Sequence, residues 1–144
     1  MQAIQVTAGG LAAASTNNIC QSQTPSAGAF TLNGALVSNG VASLGQLRRV
    51  LFTTAGNETG HTATVTGTDG NGNPQTDTVS LPNTSTVYTD LDFLTVTSIT
   101  ISANAVAAII VGTNGIGGSR WVRFNDFAPS NISIQCDVSG TVNY

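Results

Sequence analysis

Hydrophobic and polar positions alternate with a period of two through most of this chain, the repeat of a strand with two different faces and not the 3.6 of a helix. The clearest case is residues 62–68, where Ala63, Val65 and Gly67 alternate with Thr62, Thr64, Thr66 and Thr68. Asp69-Gly70-Asn71-Gly72-Asn73-Pro74 follows, a run of residues that tolerate positive φ closed by a proline that cannot donate to a ladder. A return strand over residues 75–81 completes a hairpin, and Pro82-Asn83 ends it. The chain organises around residues 51–101, which read as consecutive antiparallel strands with turn chemistry at each joint.

The same reading extends in both directions. Residues 3–7 and 15–21 predict two opening strands, separated by an alanine-rich stretch, 8–14, that has no polar face and reads as a loop or a single turn. Short apolar pieces at 29–32, 35–38 and 41–44, divided by Asn33-Gly34 and Asn39-Gly40, predict a meander of small strands. Residues 46–54, 85–88 and 94–102 have strand composition. Residues 105–111 form a fully apolar run that predicts a strand buried on both faces, and the glycine-rich 113–119 predicts a loop. Residues 119–124 and 132–138 would close the fold, with 140–144 a strand-like, shareable edge. Short strands, Gly/Asn/Pro turns and no long helix predict an all-β antiparallel sandwich, immunoglobulin-like or jelly-roll, with residues 1–144 as one domain and 1–28 as an N-terminal arm.

Composition narrows the function. Charged residues make up 8 % of the chain, lysine is absent, and the formal charge is −3. Four arginines are too few to neutralise a run of phosphates, so no nucleic-acid partner is expected. No run of about 18 apolar residues suits a membrane helix, and none is expected to cross one. A surface made polar by Thr, Ser and Asn has little charge to repel a second copy, which favours self-association or docking.

Candidate chemistry is sparse. Asp69 to Asn73 begins like a calcium loop, yet Pro74 stands where the glycine belongs and Ser80 where the bidentate glutamate belongs, so the reading is a hairpin turn. His61, the only histidine, has no local partner pattern for nucleophile activation. Cys20 and Cys136 with one histidine do not make a zinc set and read as buried free thiols. No catalytic residue, metal or cofactor is expected. Residues 119–127 hold Arg120, Trp121, Arg123, Phe124 and Phe127, the most aromatic stretch of an aromatic-poor chain. Arg and Trp are enriched at binding hot spots, which makes these five the candidate interface; otherwise Val122 and Phe124 simply point inward.

The segments FTLNGALVSNGVASL, RRVLFTTAGNETGHTATVTGTDGNGNPQTDTVSL, LDFLTVTSITIS, VGTNGIGGSRWVRFNDF and ISIQCDVSGTVNY together resemble a family of small tailed-bacteriophage virion proteins. The resemblance spans about residues 5–144, with TGTDGNGNPQT its most distinctive part. It implies a capsid decoration or cement protein: a β-sandwich added to the outside of the head after assembly in the host cytoplasm. The implied partners are the major capsid protein and further copies of the chain, a trimer suiting local three-fold positions. The family brings no catalytic residue. Alternatives are a tail, head-to-tail connector or fibre component, and, in a different class, a carbohydrate-binding module with Trp121 and Tyr88 as aromatic platforms.

Overall fold

The computed structural model describes residues 13–118. Every regular element in that span is a strand, as the period-two pattern predicts: β1 (Ser15–Gln23), β2 (Gly28–Ala29), β3 (Val37–Ser38), β4 (Val41–Thr54), β5 (Thr62–Thr68), β6 (Pro74–Ser80), β7 (Thr86–Tyr88), β8 (Phe93–Ile101) and β9 (Ile109–Gly118). All pairings are antiparallel, and the strands join one sheet in the order β1-β9-β4-β8-β5-β6, with β2 on β8 and β3 and β7 on β4. The protein is therefore all-β, built as a single continuous sheet.

The long strand β4 makes that sheet double over. Its first half pairs with β8, Ala42 opposite Val96, and its second half with β9, Phe52 opposite Val111. Register shifts interrupt both ladders between Ser43 and Val50, and Gly45 beside them has φ +70°. Such irregularities bend a strand and let it pass from one layer to another. Phe30, whose amide bonds to the Ile99 carbonyl, packs edge-to-face on Phe52 with ring centroids 6.4 Å apart. In a flat sheet, the path from Phe52 to Ala42 along β4 and on from Val96 to Ile99 along β8 would separate them by roughly 40 Å. The sheet is folded back on itself, and one core fills the space: Ile19, Phe52, Phe93, Val96, Ile99 and Val111 among others are essentially inaccessible.

Side chains close the doubled sheet where backbone does not. The edge strand β6 faces the turn between β7 and β8; Asp77 Oδ2 accepts the Asp90 and Leu91 amides at 2.7 and 3.0 Å, and Gln75 Nε2 donates to the Asp92 carbonyl. Thr89 continues the seam, since its hydroxyl accepts from the Val50 amide and donates to the Leu91 carbonyl. On the far side, the Asn33, Gly34 and Leu36 amides donate to the Ile19 and Asn18 carbonyls, so a loop covers the outer edge of β1.

Several expectations are corrected. The pieces predicted at 41–44 and 46–54 are one strand, because the Gly45 bend is accommodated inside a continuous ladder. Asn39-Gly40 does make a tight hairpin, with φ of 50° and 79°, whereas Asn33-Gly34 lies in the loop on β1. The strand predicted at 105–111 begins only at Ile109; residues 105–108 are loop, and Val106 is 67 % exposed, so it is not buried on both faces. The expected loop at 113–119 is strand up to Gly118, because β4 offers partners as far as Leu47. Within residues 1–28, taken as an arm, Ser15–Gln23 is an integral strand with Ile19 and Cys20 in the core. Cys20 is a free thiol that burial pushes up to about 12. The predicted strands at 3–7, 119–124, 132–138 and 140–144, and Cys136, lie outside the described residues.

Candidate docking surfaces

The outward faces of β6, β5 and β8 make the first surface. Register places Thr78, Thr64 and Thr100 in one row, Thr76, Thr66 and Ser98 in the next, and Pro74, Thr68 and Thr95 in a third. Hydroxyls bond across the strands, Thr64 to Thr78 at 2.9 Å and Thr68 to Thr95 at 2.7 Å, while Thr97, the extra residue of a bulge, donates to the Thr66 carbonyl. β-Branched residues suit the pleat, and alternation sends Ala63, Val65 and Val79 to the core, leaving a face of methyls and hydroxyls without charge.

The second surface surrounds the turn between β7 and β8. Tyr88 and Leu91 are 46 % and 44 % exposed. Pairing of Tyr88 with Leu51 puts the ring beside Arg49, whose guanidinium lies 5.4 Å from the ring centroid and 4.0 Å from the Asp92 carboxylate. Asp90 and Asp77 add two more carboxyl groups to the same turn region, Asp77 bonded to the Asp90 and Leu91 amides. Tyr88 is expected from sequence only as a sugar platform; what joins it to Arg49 and Asp92 is the docking of β7 on β4. Strand composition in the sequence contains no signal for that juxtaposition.

Two polar constellations are structural. Asp69 Oδ1 accepts the Asn71 and Asn73 amides, each at 2.8 Å, and Oδ2 accepts from Asn73 Nδ2, so the oxygens that resemble calcium ligands are spent on the turn. These bonds hold its carboxyl below the usual aspartate range. His61 has a partner after all, contrary to the sequence reading: its Nδ1 shares a 2.8 Å hydrogen bond with Oε2 of Glu58, which is wholly buried. Glu58 Oε1 accepts the Val106 and Ala107 amides, so the pair ties the β4–β5 turn to the loop before β9. Among the described residues no hydroxyl or thiol is hydrogen-bonded to His61.

Arg120, Trp121, Arg123, Phe124 and Phe127, the interface residues expected from sequence, lie outside the described residues. No family model, curated protein or solved structure matches the chain.

Proposed function

We propose that this chain is a structural protein of a tailed-bacteriophage virion, a decoration or cement protein that binds the outside of the head and bridges capsid subunits as a homo-oligomer, with a trimer favoured. The observation that carries the reading is the uncharged threonine face of β6, β5 and β8 on a tightly closed sheet. A face of this kind docks by shape, methyl burial and hydroxyl hydrogen bonds, without long-range repulsion between the many copies a shell must carry. The segments that resemble small phage virion proteins include both arms of this hairpin. The carbohydrate-binding alternative has Tyr88 as its described platform, and Arg49 already occupies a face of that ring.

The test is co-sedimentation of the purified protein with empty phage heads. Binding at a stoichiometry tied to capsomer number is expected, weakened by Thr66→Arg and Thr78→Arg on the threonine face. A protein that ignores heads and attaches to tails or to glycans would overturn the proposal.

A further inference from the structure

The patch around Tyr88 and Leu91 is acidic and partly apolar, while the chain's basic residues are few. Arg48 is 1 % exposed, with its guanidinium donating to the Asn114 carbonyl, and Arg49 already belongs to the patch. The remaining two arginines, Arg120 and Arg123, both fall in residues 119–127, together with Trp121, Phe124 and Phe127. That segment offers the complement of the patch: guanidinium groups for Asp77, Asp90 and Asp92, and aromatic rings for the exposed faces of Tyr88 and Leu91. The low charge of the chain leaves little to repel a second copy, and the homo-oligomer proposed above supplies the segment from one.

We infer that the Tyr88–Leu91 patch of one copy receives residues 119–127 of a second copy. This rests on the homo-oligomeric part of the proposed function and gives it a geometry. The two surfaces are different, so the contact is either exchanged reciprocally in a two-fold dimer or repeated head-to-tail around a ring. Aromatic and arginine groups in a desolvated contact are the usual hot spots, and the acidic side chains restrict which face of the segment can enter.

Sedimentation equilibrium on the full chain tests it, with thermal melting as the control for folding. Tyr88→Ala is expected to weaken self-association about 30-fold. Asp90→Arg, at an exposed turn position, should weaken it at least about tenfold, and Arg120→Asp with Arg123→Asp in the same chain should restore most of the loss. High salt should weaken the wild-type assembly. A wild-type protein that is monomeric at every concentration, variants that assemble like the wild type while remaining folded, or a charge reversal that restores nothing would overturn the inference. Co-sedimentation with heads is read separately. Head binding by a protein whose assembly ignores the patch would leave the proposed function standing without this geometry, and patch-dependent assembly with no head binding would do the opposite.

Discussion

At the scale of single residues, polar side chains in this protein act mainly on backbone. Asp69 holds the tip of the β5–β6 hairpin by accepting two amides of its own turn, and Glu58 holds a loop more than forty positions away by accepting two others. Asp69 also makes a pH dependence. Its folded-state pKa is depressed, chiefly by the Asn73 side chain and then by the Asn73 amide, so its contribution is fully present above the ordinary aspartate value and is lost as pH falls through the lower, folded value. The protection factors of the Asn71 and Asn73 amides, measured against the intrinsic exchange rate at each pH, are expected to fall in acid, with that fall missing in Asp69→Asn. An Asp69→Asn protein that shows the same fall would remove Asp69 as its source.

Among elements, β1 and β9 show how a glycine can decide packing. Three residues of β1 bulge over Gly112, and a Cβ there would collide with the Ser15 carbonyl and the backbone of Thr16 and Asn17. At Gly45 a Cβ would meet nothing, so the only penalty of a side chain is the positive φ. Gly112→Ala is therefore expected to lower stability by about 3 kcal/mol, an overpacking against backbone that cannot swing aside. Gly45→Ala should lower it by only about 1–2 kcal/mol. Urea unfolding midpoints at unchanged slope would measure both, and a reversed order would contradict the close approach of β1.

At the scale of the whole molecule, β6 is the last strand of the sheet among the described residues, and side chains close it against the β7–β8 turn. Asp77 bonds the Asp90 and Leu91 amides in place of a ladder, which both seals the fold and denies the edge to another chain. Replacing Asp77 by Ala is expected to destabilise the protein by about 1 kcal/mol, since two exposed amides exchange a carboxylate for water. It should also raise light scattering on storage as β6 becomes free to pair. Asp77→Asn, which keeps one acceptor oxygen, should lose less. Unchanged melting and scattering in Asp77→Ala would mean that the seam is held elsewhere.

The all-β class and the β5–β6 hairpin were legible in the chain by itself, because period-two alternation and positive-φ turn residues are local properties that need no distant partner. The inward set Ala63, Val65 and Val79 followed from that alternation, and so did the outward threonines. Where a partner decides the outcome, local pattern failed. Thr113 to Gly118 is strand because β4 lies alongside, although glycine in isolation predicts loop; Val106 is exposed, although its apolar run predicts burial. The union of Glu58 with His61 and the Val106 and Ala107 amides depends on bringing a turn and a remote loop together. So does the meeting of Arg49, Tyr88, Leu91 and Asp92 on one surface. Where alternation is clean, as in β5 and β6, sequence determined that the stretch is extended and which side turns inward, since sterics and hydrophobicity act residue by residue. The doubling of the sheet at β4, its side-chain closure and the surfaces this creates were decided only by tertiary structure, because hydrogen-bond partners in a sheet are chosen across the chain and not along it.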